Sequence, residues 1–197
     1  NNQRMDTQLL SEIENFLGIY PNAEVSDLFS FYVGEHYLSI QNYSKADQCL
    51  TRIKSMDYLP KMRLERTLIV ISSYYFDNGQ YEKVVNYLGR IADHLTLSDP
   101  ELLYRYATSL IKIGNKKEGL GKVELLVKNT REFTGYTRSL DLLAQNYRIQ
   151  KDYNKTIYFM EKYPAEDKNA SYYQALSEDY LNLGDRVKAK EALMYIE

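Results

Sequence analysis

The stretch Asp77–Ile91, "DNGQYEKVVNYLGRI", sets a turn signal, Asn78-Gly79, ahead of apolar residues at helical spacing. Nearly the same phrase occurs earlier as "IQNYSKADQCLTRI", Ile40–Ile53, and later as "IQKDYNKTIYFMEKY", Ile149–Tyr163. In the continuation "VVNYLGRIADHL" the residues Val84, Val85, Leu88, Ile91, Ala92 and Leu95 follow the i, i+3, i+4, i+7 pattern of one helix face. A turn followed by such a helix, written several times, predicts a repeated helical hairpin.

Aligned on that turn, the segments agree along their length. The turns fall at Gln41-Asn42, Asn78-Gly79, Gly114-Asn115, Lys151-Asp152 and Gly184-Asp185, separated by about one helical hairpin each. Before each turn stands Tyr37, Tyr75, Leu110, Tyr147 or Tyr180, and one helical turn earlier a small residue, Gly34, Ser72, Ala107, Ala144 or Ser177. After it come Ala46, Val84, Gly119, Thr156 and Ala189, then Leu50, Leu88, Val123, Met160 and Leu193. Antiparallel helices approach closely only where one offers a small side chain, with bulky neighbours filling the space beside it. Gly or Asn at the turn tolerates the left-handed backbone that ends the first helix. Pro21, Pro60, Pro100 and Pro164 each fall near the end of a second helix, where proline stops one helix and can open the next.

These residues resemble the tetratricopeptide repeat family: Gly34, Tyr37, Tyr43 and Ala46 in one unit, Tyr75, Gly79 and Tyr81 in the next, and Leu176, Tyr180, Gly184 and Ala189 in the last. No repeat keeps the family's tryptophan, and Gly119 and Thr156 stand at its usual alanine. The resemblance implies an all-α fold, a right-handed α-solenoid of antiparallel helix pairs. Residues 1–197 then form a single repeat domain: a partial unit at 1–20 and repeats at about 24–60, 61–98, 99–131, 132–166 and 167–197. The joints "FLGIYPNAEVSD" and "FMEKYPAEDKNA" are similar to those of bacterial envelope members, the outer-membrane assembly lipoproteins and periplasmic cell-wall coordinators.

Composition narrows the partner classes. Acidic and basic residues number 27 and 25, a formal charge of −2. A whole-surface nucleic-acid binder needs a basic excess to displace counterions, so none is expected. The lone cysteine, Cys49, excludes an internal disulfide and lies in an apolar helical pattern, as a small core residue does. No apolar run reaches membrane-spanning length. A chain opening at Asn1 and stopping within a helical pattern at Glu197 reads as a piece of a longer protein. Further helix, or self-association through an exposed terminal repeat, is expected at Glu197. The compartment, cytoplasmic or periplasmic and envelope-associated, stays open.

In stacked helix pairs the first helices line a concave surface, which locates the candidate binding residues. They are Phe31 and Glu35 in the first repeat, and Arg66, Ser73 and Phe76 in the second. Tyr104 and Thr108 follow in the third, and Asp141, Gln145 and Arg148 in the fourth. One reading is a groove for an apolar peptide or helix, with arginines gripping an acidic end. The other packs Phe31 and Phe76 as ordinary core and leaves Arg138 and Arg148 as solvated surface. Tyr32, Tyr74, Tyr104, Tyr172 and Tyr173 fall outside the repeat-packing positions and are further surface candidates.

Catalysis finds little foothold. "GNKKEGLGKVE" lacks the order of a phosphate-binding loop and follows no strand. His36 and His94 lie in different units with no second His or Cys at ligand spacing, so no metal or other cofactor is called for. The sequence therefore predicts a non-catalytic interaction scaffold that binds a protein or peptide segment on its concave face. Three alternatives stand beside it: a ligand- or peptide-sensing array, the repeat region of an envelope assembly protein, and the repeat region of an enzyme whose catalytic domain lies elsewhere.

Overall fold

The computed structural model describes residues 6–95, 97 and 99–196. Residues 1–5 of the partial first unit and Glu197 lie outside the described residues. Helix α1, Thr7–Ile19, is followed by five antiparallel pairs. These are α2 (Ser26–Ser39) with α3 (Tyr43–Leu50), α4 (Lys61–Asp77) with α5 (Tyr81–Gly89), and α6 (Pro100–Lys112) with α7 (Lys116–Asn129). Then come α8 (Tyr136–Ile149) with α9 (Tyr153–Met160) and α10 (Ala170–Asn182) with α11 (Arg186–Leu193). Two short 3₁₀ turns, Ala92–His94 and Ala165–Asp167, lie in the joints. Among the described residues all regular structure is helical, and no helix is long and apolar enough to cross a membrane. The chain groups into two compact units, Asn1–Ala92 and Asp93–Glu197.

All five turns are built alike. One residue takes left-handed angles: Gln41 (φ 59°), Gly79 (69°), Gly114 (94°), Lys151 (60°) or Gly184 (81°). The next N–H reaches back to the carbonyl of the residue five before it, as from Asn42 to Tyr37 at 2.8 Å and from Asp152 to Tyr147 at 2.9 Å. This closes the carbonyls that a helix end leaves open. The expectation that Gly or Asn takes the left-handed position fails at two turns. Asn42 and Asp152 are instead N-caps, accepting from Lys45 N and Lys155 N at 3.2 Å each. The preceding Gln41 and Lys151 are left to carry the bend. Asp185 caps α11 in the same way, and Asp99, ahead of Pro100 in the first turn, caps α6.

Close approach within pairs follows the small-beside-large pattern. A Cβ at Gly34 would meet Leu50 Cδ2 at 2.7 Å, and one at Gly119 would meet the Ala107 carbonyl oxygen at 2.7 Å. In the first unit Phe31, Val33, Leu50, Leu68, Ile71, Val84 and Leu88 are fully buried, each worth roughly 2 kcal/mol of removed apolar surface. In the second unit one cluster gathers Ala107, Val123, Leu140, Leu143 and Phe159. Another gathers Ala144, Ile157, Met160, Leu176 and Ala189. Leu193, a packing position by alignment, is largely exposed, and Ala192 takes the buried place. Cys49 is buried, as its pattern predicts, and burial pushes its thiol up to about 11.

Neighbouring pairs are joined by a recurrent clasp. The tyrosine before the turn donates its hydroxyl to a carboxylate of the preceding helix, and a lysine early in the following helix lies over its ring. Tyr37 bonds Glu14 at 2.5 Å with Lys45 Nζ 4.8 Å from its centroid. Tyr147 bonds Glu124 at 2.8 Å with Lys155 at 4.6 Å. Tyr180 bonds Glu161 at 2.9 Å with Lys188 at 5.5 Å. At Tyr75 the geometry shifts: Lys83 donates to both the hydroxyl (3.2 Å) and Asp47 (2.7 Å), while Asp47 accepts from Tyr87 at 2.5 Å. Each clasp combines a charge-assisted hydrogen bond with a cation–π contact. Leu110 has no hydroxyl, so α6 lacks this clasp.

Candidate functional site

The first helices α8 and α10 of the second unit flank a groove of about 390 Å³. From α8 come Thr137, Asp141, Ala144, Gln145 and Arg148, spaced so that helical periodicity puts them on one stripe. Ser171, Tyr172 and Ala175 face them from α10, and Met160 and Tyr163 lie at the end of α9 and just beyond it. Asp167 and Asn169, on the joint after α9, complete the lining. That joint is anchored at both ends. Thr137 donates to Asp167 at 2.5 Å, and Asn169 caps α10 by accepting from Tyr172 N at 3.0 Å.

The charges within the groove are arranged unequally. Arg148 donates through Nε to Asp179 Oδ1 at 2.9 Å and through Nη2 to Oδ2 at 2.6 Å. Asp179 is buried, and its carboxylate raises the Arg148 pKa above the ordinary guanidinium value. Asp141, exposed on α8, accepts a hydrogen bond from the Tyr163 hydroxyl. Burial first, and then Asp141, pushes that phenol above its usual range. Burial holds Tyr172 up at about 12, and its hydroxyl donates to the Met160 carbonyl at 3.1 Å. Among the described residues neither Asp141 nor Asp167 has a salt bridge.

The groove thus brings together three of the residues singled out from the sequence, Asp141, Gln145 and Arg148. The proposed grip of Arg148 on an acidic ligand is corrected: both prongs of the guanidinium are taken by Asp179. Phe31 is fully buried beneath α4 and is core, not surface. Glu35 is tied to α4, accepting from Arg63 and from Thr67 at 3.0 Å. Ser73 turns its hydroxyl back to the Ile69 carbonyl at 2.9 Å, and Phe76 meets Tyr81 edge-on at 6.0 Å. Arg66 is exposed. Tyr104 is buried against Phe133 and the bare Cα of Gly135, where a Cβ would come within 2.3 Å of its ring. Thr108 is half-buried on α6, its hydroxyl without a protein partner.

Among the tyrosines expected at the surface, Tyr172 is also core. Tyr74 stacks on Tyr43 at 3.7 Å and Tyr173 on Tyr195 at 4.9 Å. Thr137, Tyr163, Asp167 and Asn169 escape a reading by first-helix phase, because Thr137 lies in the first turn of α8 and the others on the joint. The Tyr163-Pro164 pair was the available signal, since a proline stop there folds the joint back toward α8.

A second hollow, about 460 Å³, lies among Tyr158, Glu161, Tyr180 and Lys188. Three of its polar groups are those of the Tyr180 clasp, where Tyr180 bonds Glu161 and Lys188 lies over the ring. The α8–α10 groove is the better candidate because Asp141, Gln145 and Ser171 of its lining are exposed.

Paired helices with Schellman-type turns, stacked pair on pair within each unit, define a helical-repeat fold of the tetratricopeptide kind. Among solved structures, a MamA protein, a tetratricopeptide-repeat protein, shares this fold with a TM-score of 0.56 at 16% identity, covering 86% of this chain and 89% of that one. A further MamA structure gives 0.54 at 17% identity, over 82% and 91%. MamA from Desulfovibrio magneticus RS-1, from residue 41 to its end, gives 0.50 at 19%, over 86% and 92%. Neither a protein-family model nor a curated protein matches the chain. The similarity to envelope lipoproteins drawn from the Tyr-Pro joints finds no support in these structures.

Proposed function

We propose that this chain is a non-catalytic protein-interaction scaffold that takes a protein or peptide segment on the face lined by its first helices. The observation that carries the reading is the α8–α10 groove, where Gln145, Asn169 and Ser171 offer hydrogen-bonding groups beside apolar Ala144 and Ala175. An extended segment needs alternating polar and apolar contacts of this kind. The frame around the groove is braced by the Arg148–Asp179 pair and the anchored joint. A preformed surface of this kind loses little entropy on binding.

Site-specific photo-crosslinking tests it. A benzoylphenylalanine at Gln145 should crosslink a protein partner in cells of the source organism, whereas one at exposed Tyr158 on α9 should not. Crosslinks from position 158 alone would move the binding face to the second helices.

A further inference from the structure

We propose that the α8–α10 groove receives a lysine or arginine side chain from an extended basic segment of a protein partner; this rests on reading the groove as the peptide site. The charge pattern carries it. Arg148, the lone cation among the lining residues, is neutralised by a buried carboxylate that holds it bidentately. Asp141 and Asp167 each give one oxygen to an uncharged hydroxyl, of Tyr163 and Thr137, and keep the other. Glu178, exposed on α10 and near enough to act on Arg148, adds a third carboxylate beside the groove.

An acidic segment would meet two carboxylates and no available guanidinium. A basic side chain would meet the reverse. An ammonium brings three donors and a guanidinium five, with no acceptor in either. Asp141, Asp167 and the side-chain oxygens of Gln145 and Ser171 are acceptors suited to both. Ala144, Met160 and Ala175 form the apolar wall along which a methylene stem can lie while its charged head stays at the acidic rim. Lys168, in the joint, is held 5.5 Å over the Tyr172 ring, and neither it nor Lys162 is among the lining residues.

Asparagine at positions 141 and 167 keeps an oxygen that accepts from Tyr163 and Thr137, and so removes charge without opening the joint. A random dodecapeptide library displayed on phage is selected on the wild-type chain. The recovered peptides are then measured on D141N/D167N and on Q145W, whose indole fills the groove from an exposed position. Lysine and arginine should be enriched in the recovered peptides. Their binding should weaken about tenfold on D141N/D167N, as expected for two partly exposed ion pairs, and weaken further with added salt. Peptides blocked by Q145W but rich in acidic or apolar residues, or unaffected by D141N/D167N, overturn the basic-segment proposal and leave the groove as the peptide site. Peptides indifferent to Q145W, or none recovered, overturn both. Amide resonances of Asp141 and Asp167 that shift equally with magnesium chloride alone would make an inorganic cation the occupant and also overturn the proposal.

Discussion

Arg148 and Asp179 form a two-pronged ion pair between α8 and α10, with contacts of 2.9 and 2.6 Å. The Asp179 side chain is 1% exposed and that of Arg148 37%. A charge so far from water is stable only while its partner is present. Replacing Arg148 with Ala should therefore destabilise the second unit by about 3 kcal/mol, the order found when one half of a buried pair is removed. Lysine should recover only part of this, because an ammonium cannot span both oxygens. Urea unfolding followed by circular dichroism measures both. A loss near zero for Arg148→Ala would mean that water reaches Asp179.

The contact of Gly34 with Leu50 makes a second prediction. Alanine raises helix propensity by about 1 kcal/mol, yet its methyl would lie 2.7 Å from Leu50 Cδ2 in a fully buried site. Overpacking of this kind costs about 1–3 kcal/mol and should prevail. Gly34→Ala is expected to lower stability, and Leu50→Ala to lower it more. The double variant should be less damaged than the two losses added together, since the second change removes the clash. Additive losses would mean that Leu50 moves aside freely.

How much of this was legible depended on sequence distance. The turns, the pairs and the Gly34–Leu50 approach follow from local periodicity and from residues on two adjoining helices. The clasps do not, because Tyr37 and Tyr147 find their carboxylates 23 residues away, on helices of other pairs. Arg148 finds Asp179 at a separation of 31. Helical phase alone assigns Phe31 to the groove. Helix α2, however, buries Phe31 as well as Val33, Gly34 and Tyr37, so more than one of its faces is covered and phase cannot select a solvent side. The left-handed residues were displaced by one because Asn42 and Asp152 suit a cap as well as a turn, and the cap takes them.

The clasps predict alkaline sensitivity. Burial first, then Glu124 or Glu161, pushes the Tyr147 and Tyr180 hydroxyls up to about 12. In the unfolded chain a phenol titrates near 10. A folded pKa above the unfolded one gives stability that is complete below about pH 10 and is lost as pH rises through about 12. Lys83, raised by its hydrogen bond to Asp47, shifts in the same sense. The melting temperature should therefore hold from neutrality to about pH 9 and then fall. Tyr147→Phe should melt lower at neutral pH, having lost a hydrogen bond worth roughly 1 kcal/mol. It should also show a shallower alkaline fall. An equally steep fall in the Phe variant would place the titration elsewhere.

The last prediction concerns the two turns that bend without glycine. Gln41 and Lys151 hold φ at 59° and 60°, where Cβ crowds the backbone, while the other three turns place glycine there. Left-handed angles cost an ordinary L-residue about 1–2 kcal/mol, and glycine avoids most of this. Against that, glycine gains freedom in the unfolded chain, an opposing effect of roughly 0.5–1 kcal/mol. Both side chains are exposed, so neither substitution removes core packing. Gln41→Gly and Lys151→Gly should each stabilise the chain modestly, by about 0.5 kcal/mol, and their effects should add because they lie in different compact units. Chemical denaturation of the two single variants and the double variant tests this. A destabilisation at position 151 would show that the Lys151 side chain has a role in the folded state beyond accepting the bend.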